Sequence, residues 1–425
     1  MAVGTKDKLA IHGGPKAVTV PLEDRWPQIT QREIDAVVAL LREGEISIAG
    51  GGGVIGEFER RFADWIGVKH GLAQCNGTST LHSAYFALGV GFGDEVIVPS
   101  YTWHATASPI LHCGGSPIFC EMDPETLTAD PADIEKKITA RTKAICVVHI
   151  WGNVCNMEGV MAVSEKHGIP VVEDCSHAHG AEWKGRKVGS IGHIGCFSLQ
   201  GSKPLTGGEA GIMTTNDDDL FDRMVILGHY GRIGNTLVTD RYRAFDGPGL
   251  GIKYRAHPLA VAIALVQLDR IEELNAKRAA FVAELDQRLE AIPGIEPIRA
   301  YPEAKRGGFY GYRCRYLLAE TTGVSRDRFV EALQAEGVPC GSDRYGLLHL
   351  QPLFSDLSFD GLGGPWGSPG GDNRRVFPQG SLPITEACYE TLISMPMFTE
   401  PPAEAAEQIG GAVAKVVAQL ESLRG

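Results

Sequence analysis

The sequence predicts an α/β protein with a mostly parallel seven-stranded sheet, followed by a smaller α+β C-terminal domain. From about Gly71, short runs rich in Val and Ile alternate with helical patterns. That alternation is typical of a parallel sheet with helices on both faces. One long helical pattern at 257–292 then leads into a segment with its own strand and helix. A chain of 425 residues is long enough for two domains, and we expect them at residues 1–270 and 271–425.

The strands of the predicted sheet are seven short apolar runs bounded by Gly, Pro, Asp or Asn. In chain order they are GLAQC (71–75), DEVIVPS (94–100), SPIFCEM (116–122), KAICVVHI (143–150), IPVVEDC (169–175), GCFSLQ (195–200) and GIMTT (211–215). Amphipathic patterns predict helices before, between and after these runs, at 30–45, 56–69, 79–90, 130–138, 156–168 and 257–292. For the C-terminal domain the sequence predicts a strand at 310–320, a capped helix at 325–337 and a Gly/Pro-rich surface loop at 359–380.

Composition and charge exclude several classes of function. The formal charge of −12 argues against nucleic acid as a partner, because phosphate binding needs a basic face. No run of about 18 apolar residues exists to span a membrane, and residues 1–18 lack the apolar run of a signal peptide. The ten cysteines form no C-x-x-C pair, so we predict no metal site. We therefore expect a reduced, cytoplasmic protein.

The glycines Gly51, Gly53 and Gly56 match the spacing of a dinucleotide-binding fingerprint. That fingerprint requires a preceding strand inside a βαβ unit. Here a helical pattern precedes the glycines, so we interpret them as a loop near the active site.

Four strand ends carry side chains that one cofactor requires together. The first leads into NGTST (76–80), a turn with free amide donors suited to a phosphate. The second leads to Trp103, the fifth ends at Asp174, and the sixth leads to Lys203. Each feature alone is ordinary: a helix cap, a core tryptophan, a capping aspartate, a surface lysine. Ligands bind beyond the carboxyl ends of such strands, and pyridoxal 5′-phosphate (PLP) needs a lysine, an anion at its ring nitrogen, a flat platform and a phosphate cradle.

From about Pro21 to the C-terminus the chain resembles the DegT/DnrJ/StrS family of PLP-dependent sugar and cyclitol aminotransferases. The resemblance is carried by FERRFADWIGVKHGLAQCNGTSTL, VIVPSYTWHATA, VVHIWGN, VVEDCSHAHGA, CFSLQGSKPLTGGEAG and GIKYRAHPLAVAIALVQL, and more loosely by SLPITEACYETLISMPMF. It implies the fold-type I, aspartate aminotransferase-like architecture. Length and the N-terminal LAIHGGPKAV favour the scyllo-inosose aminotransferase branch.

The resemblance also implies roles for individual positions. Lys203 would bind the cofactor aldehyde and move a proton during catalysis, and Asp174 would pair with the pyridinium nitrogen. The further cofactor-binding residues implied are Gly77, Thr78, Ser79, Trp103, His177, Ser198 and Lys253.

Lys253 marks a departure from the family pattern. The motif that usually reads G-x-N-Y-R is GIKYR here, with a lysine where a neighbouring subunit usually supplies an asparagine to the phosphate. A lysine can contact phosphate as a point charge rather than a directed amide. The resemblance therefore implies a homodimer with shared active sites, although this contact is altered.

By the same resemblance the enzyme would move an amino group from L-glutamate or L-glutamine to a cyclic ketone, either a keto-cyclitol such as scyllo-inosose or a nucleotide-linked ketosugar. Alternatives are a dehydratase or aminobenzoate-forming enzyme of the family, or a non-catalytic PLP-binding regulator. His229, Arg232 and Tyr345 are candidate substrate-side residues. Lys305, Arg344 and again Arg232 are candidate partners for a diphosphate.

Overall fold

The computed structural model describes residues 8–24, 26–343, 345–355 and 376–424. Arg344 and most of the predicted Gly/Pro-rich loop, residues 359–375, lie outside the described residues.

The described residues up to Thr215 include nine strands, seven of which form one sheet in the order β1-β9-β8-β5-β4-β2-β3. They are β1 (His70–Gln74), β2 (Glu95–Pro99), β3 (Ser116–Cys120), β4 (Thr142–Val148), β5 (Val171–Asp174), β6 (Glu182–Trp183), β7 (Arg186–Lys187), β8 (Ile194–Ser198) and β9 (Gly211–Thr215). The seven predicted strands are thus confirmed. The short strands β6 and β7 form a separate small sheet with β11 (Ala304–Lys305).

The directions of the strands fix where the site can form. Strands β2, β3, β4, β5 and β8 are parallel to one another, whereas β9 is antiparallel to both β8 and β1. Gly211, at the start of β9, pairs with both Gln74 and Ser198, at the ends of β1 and β8. The carboxyl ends of β1 and β8 therefore lie at the same edge of the sheet, on either side of the start of β9. At this edge the chain continues into the segments that carry the predicted site residues.

Helices cover the sheets, and their ends follow local capping chemistry. Thr30 and Glu33, for example, form a capping box at the start of α1. The helices are α1 (Gln31–Glu43), α2 (Gly53–Ile66), α3 (Gly77–Ala87), α4 (Ser108–His112), α5 (Pro131–Lys137), α6 (Met157–His167), α7 (Asp218–Gly228), α8 (Ile233–Thr236), α9 (Pro258–Glu290), α10 (Ala319–Thr322), α11 (Arg326–Ala335), α12 (Pro352–Ser355), α13 (Pro383–Tyr389) and α14 (Ala405–Val417). None of the helices in the described ranges is long and apolar enough to cross a membrane.

The glycine motif overlaps the start of α2, a helix whose first residue is Gly53. Residues 44–52 form no strand, so the context that a dinucleotide site requires is missing.

The C-terminal sheet has the order β10-β12-β14-β13, with antiparallel pairs throughout. Its strands are β10 (Ile295–Pro297), β12 (Tyr312–Tyr316), β13 (Gly341–Ser342) and β14 (Leu392–Met395). The core beneath it includes Leu9 and Val18 from the N-terminal segment. The buried carboxylate of Glu336 accepts the N–H groups of Ala10 and Ala17 and pairs with Lys415 at 2.8 Å.

Helix α9 runs through the predicted domain boundary at residue 270. Ile271 belongs to the core of the large sheet, whereas Phe281 belongs to the core of the C-terminal sheet. One helix thus packs in both cores, and the division at residue 270 stays a prediction.

Candidate active site

A cavity of about 400 Å³ opens at the carboxyl edge of the large sheet. Seven of the nine residues predicted to bind the cofactor line it: Gly77, Thr78, Trp103, Asp174, His177, Ser198 and Lys203. The geometry of parallel strands explains this result, because segments distant in sequence leave the sheet at the same edge.

The N-terminus of α3 forms one end of the cavity. Gly77 and Thr78 face it, and the first N–H groups of a helix have no acceptor within the helix. Gly77 packs so closely on β8 that an added Cβ would lie 2.6 Å from Ser198 Cβ. This end is therefore suited to an anion approaching the backbone.

Ser79 is placed differently from the other predicted cofactor-binding residues. Its N–H donates to Asn76 Oδ1 and its hydroxyl donates to Asn76 O, both at 2.7 Å. These bonds close the helix cap, and Ser79 is not among the residues that line the cavity. Its predicted contact with phosphate stays a prediction.

Asp174 ends β5 with a buried carboxylate. Thr106 Oγ1 donates to its Oδ2 at 2.9 Å, and the Ser176 N–H donates to its Oδ1 at 3.1 Å. Two donors from different segments therefore fix the orientation of the carboxylate in the cavity wall.

A buried ion pair lies next to Asp174. His149 Nε2 and Glu173 Oε2 are 3.0 Å apart and both side chains are fully buried. The backbone N–H of His149 also donates to the backbone oxygen of Asp174 at 3.1 Å. Burial alone lowers the pKa of His149, but Cys155 and Glu173 outweigh it and raise that pKa to about 10. Burial raises the pKa of Glu173, but His149 and backbone N–H groups lower it overall.

The His149–Glu173 pair should contribute strongly to stability. We expect Glu173→Gln to lower the free energy of unfolding by about 3–5 kcal/mol, because it leaves an uncompensated buried group. Urea unfolding at pH 6 measures this. The double variant His149→Gln/Glu173→Gln should lose less than the sum of the single losses. Additive losses would contradict the pairing.

The same pair predicts a pH dependence. A raised His149 pKa gives stability that is fully present below about pH 6.5 and is lost as the pH rises toward 10. A lowered Glu173 pKa gives stability that is present above pH 4.5 and is lost in acid. Wild-type stability should therefore fall between pH 6.5 and 10, and Glu173→Gln should flatten that fall. An unchanged slope in the variant would contradict the assignment.

Lys203 is buried and its amine lies 3.8 Å from the centre of the Tyr310 ring. Two side chains hold the main chain at Lys203 and Pro204 by hydrogen bonds. Trp26 Nε1 donates to the Lys203 oxygen at 3.1 Å, and Arg278 donates to the oxygen of Pro204 at 3.3 Å. The lysine thus projects into the cavity from a loop that the N-terminal segment and α9 fix.

An aromatic wall closes another side of the cavity. The His177 ring packs against Trp151, with ring centres 5.0 Å apart, and against Tyr310, at 4.3 Å, and the Trp151 and Tyr310 rings lie 5.8 Å from each other. The backbone N–H of Trp151 donates to His177 Nδ1 at 3.3 Å. Trp103 is half exposed and packs on Tyr345 at 5.3 Å. The sequence predicted Trp103, His177 and Tyr345 near the site, but it did not predict Trp151 or Tyr310 there.

Lys253 lies outside this cavity in its own chain. It pairs with His229 in an isolated bridge and lines a separate small depression with Arg255. A contact between Lys253 and phosphate would have to come from a second copy, as the resemblance implies.

The other candidates suggested for the substrate side have structural contacts. His229 is buried and its Nε2 lies 3.0 Å from the oxygen of Ala73. Burial, with Arg232 nearby, lowers the pKa of His229 to about 3. Arg232 makes two bonds of 2.8 Å to Glu59. The exposed Lys305 pairs with Glu182 at 3.0 Å.

Comparison with known proteins agrees with this geometry. Residues 27–362 match the model of the DegT/DnrJ/EryC1/StrS aminotransferase family. The chain belongs to this family. It is therefore an aminotransferase, and PLP is the cofactor that the family implies.

Similar proteins include two curated relatives and a solved structure. The chain is 37% identical over 358 residues to an L-glutamine:2-deoxy-scyllo-inosose aminotransferase of Streptoalloteichus tenebrarius, covering 82% of this chain and 84% of that protein. It is 37% identical over 336 residues to a GDP-perosamine synthase of Caulobacter vibrioides, covering 79% and 87%. The structure of a sugar aminotransferase from Streptococcus pneumoniae in its PMP form matches with a TM-score of 0.79 and 26% identity, covering 96% and 99%.

Proposed function

We propose that this aminotransferase uses PLP to move an amino group from L-glutamine or L-glutamate to a cyclic ketone in aminosugar or aminoglycoside biosynthesis. The observation that carries the proposal is the convergence of Lys203, Asp174 and the N-terminus of α3 on one cavity. The similarity to a glutamine:inosose aminotransferase supports this choice of donor and acceptor.

The residues of the cavity fit the cofactor at each of its functional groups. Gly77, Thr78 and Ser198 would hold the phosphate at the end of α3, where a side chain on Gly77 would collide with β8. Asp174 would keep the ring nitrogen protonated through a charge-assisted hydrogen bond. By the family resemblance, Trp103 would lie against the ring face and His177 near its 3-oxygen. When bound, the cofactor supplies an electron sink for negative charge at the substrate carbon.

Lys203 would perform the proton transfers. Its amine would hold the cofactor covalently and would be released by the donor amine. The free Nζ would be placed to take the proton from Cα of the donor in the first half of the cycle and to deliver a proton to the acceptor carbon in the second half. The burial of Lys203 beside Tyr310 keeps water away from these transfers.

The composition of the cavity favours a neutral cyclitol over a nucleotide-linked sugar. Among the described residues that line it, Lys203 is the one Lys or Arg, and its role in the chemistry occupies it. A diphosphate would need further cations. Ser202, Gln200 and Glu209 instead offer hydrogen bonds to hydroxyl groups, beside the aromatic face of Trp103.

Parallel assays with two acceptors test the proposal. PLP-loaded enzyme is incubated with L-glutamine and either 2-deoxy-scyllo-inosose or a GDP-linked ketosugar, and products are identified by mass spectrometry. We expect an aminated cyclitol at the higher kcat/KM. A higher kcat/KM for the sugar would overturn the choice of acceptor. A dehydrated or aromatic product would favour a dehydratase or aminobenzoate-forming enzyme, and no amino transfer from any donor would favour a regulator.

We also propose a homodimer that shares its sites, in a cytoplasmic protein. Lys253 does not line the cavity of its own chain, which supports a phosphate contact from a second copy. Val238, Phe245 and Leu250 are exposed apolar side chains in the preceding segment. The ten cysteines are free thiols, which suits a reducing compartment. Sedimentation of Lys253→Ala and the wild type at matched concentrations, with PLP titration of both, checks the first point. A monomeric wild type, or unchanged PLP affinity in the variant, would contradict it.

A further inference from the structure

Hydrogen bonds from both sheets converge on Asp343, which follows β13 and lies behind the cavity wall. Its side chain is fully buried. Oδ2 accepts from the Tyr101 hydroxyl and from Arg313 Nε, the latter at 2.5 Å. Oδ1 accepts the Tyr345 N–H at 2.9 Å. Tyr101 follows β2 of the large sheet and Arg313 belongs to β12, so one carboxylate joins the two parts of the molecule.

The first connection from Asp343 to the cavity runs through Tyr345. This residue lines the cavity and is 4% exposed. Its ring packs on Trp103 at 5.3 Å, and its hydroxyl lies 3.5 Å from His177 Nε2. Because the Tyr345 N–H is fixed by Asp343, the place of the ring depends on that carboxylate.

The second connection runs through Tyr101 to Trp151. The Tyr101 hydroxyl accepts from Trp151 Nε1 at 2.9 Å, and the Arg313 guanidinium lies 3.6 Å from the Trp151 ring centre. Trp151 has a φ of +55°, a conformation that persists only where the surroundings enforce it. In that conformation its N–H donates to His177 Nδ1.

The Arg313 guanidinium keeps its positive charge although it is buried. Burial alone lowers the pKa of Arg313, but Tyr101 and Asp343 outweigh it and raise that pKa. The guanidinium therefore stays charged opposite the carboxylate. Neutralising one partner of a buried ion pair leaves the other charge uncompensated, which is destabilising.

We propose that Asp343 is a positioning residue of the active site, which holds Tyr345 and Trp151 so that the His177 imidazole keeps one orientation at the cofactor ring. With Nδ1 accepting from Trp151, the neutral ring carries its proton on Nε2, the nitrogen beside Tyr345. This inference rests on the proposed function, since it takes His177 as a cofactor contact. The plainer alternative is that Asp343 only stabilises the packing between the two sheets.

A double-variant cycle distinguishes a positioning role of Asp343 from a role in packing alone. Asp343→Asn, Tyr345→Phe and their combination are loaded with PLP and assayed in the half-reaction with L-glutamine. We expect each single variant to lower kcat by up to about 100-fold, since small misplacements have effects of that size, with KM unchanged. Both should shift the absorbance of bound PLP in the same direction. The double variant should be no slower than the slower single variant.

Glu336→Gln is the matched control, because it neutralises another buried carboxylate in the same part of the molecule that does not line the cavity. It should leave kcat and the absorbance unchanged. If Asp343→Asn behaves like this control, or if the losses in the double variant multiply, the inference is overturned. If Asp343→Asn does not fold, Tyr101→Phe tests the second connection, and an unchanged absorbance there overturns the inference.

A separate experiment distinguishes failure of this inference from failure of the proposed function. Borohydride treatment of the PLP-loaded wild type should label Lys203. A missing label overturns the proposed function, whereas a label together with an unresponsive Asp343→Asn overturns only this inference.

Discussion

Lys203→Ala should abolish the half-reaction with L-glutamine, with a loss of at least about 10⁴-fold in kcat. General acid–base catalysis by one group contributes about 10²–10⁴, and this variant also loses the covalent attachment. The fold should persist, because Trp26 and Arg278 hydrogen-bond to the main-chain oxygens of Lys203 and Pro204. Neither contact involves the Lys203 amine. Stopped-flow absorbance of the PLP-loaded protein measures the reaction.

Lys305→Ala is the matched control for that variant. Lys305 is exposed and pairs with Glu182 on the surface, so its removal takes one lysine away without touching the cavity. The control should react at the wild-type rate. Residual turnover of Lys203→Ala within tenfold of this control would remove Lys203 from its assigned role.

Asp174→Asn should have the next largest effect, a loss of about 10²–10³-fold in kcat, the cost typical of removing one preorganised electrostatic group. The amide oxygen can still accept from Thr106 or Ser176, so the wall of the cavity should keep its shape. The ring nitrogen loses its anionic partner, and the electron sink weakens. PLP should still bind, which absorbance and a PLP titration would measure.

Asp222→Asn controls for the loss of a buried aspartate. Asp222 is fully buried and accepts the N–H groups of Val238 and Thr239 outside the cavity. Its replacement should cost stability and leave kcat unchanged. Near-normal turnover in Asp174→Asn, or equal losses of kcat in both variants, would contradict the pairing of Asp174 with the ring nitrogen.

The sheet and the meeting of Lys203 with Asp174 were predictable, because both follow from local patterns combined with chain direction. A β-branched run bounded by turn residues predicts a strand, and parallel strands deliver their carboxyl ends to one edge. Ser79 illustrates where this reasoning stops. The stretch 76–80 offers several polar side chains, and only tertiary geometry decides that Asn76 and Ser79 close the cap while Gly77 and Thr78 face the cavity.

Apart from Tyr345, the residues that the C-terminal part of the chain contributes to the site were not predictable from local patterns. Tyr310 was read as part of a strand, but β12 begins at Tyr312, and Tyr310 turns to Lys203 instead. Asp343 follows a two-residue strand with no periodic pattern. The positions of both depend on how the C-terminal sheet packs against the large one, which no spacing in the sequence encodes.

The central claim is that the Lys203 amine binds PLP covalently. The most direct measurement is borohydride reduction of the PLP-saturated protein, followed by proteolysis and mass spectrometry. The account predicts a pyridoxyl group on the peptide that contains Lys203. Its absence from that peptide, or its presence on another lysine instead, would contradict the account.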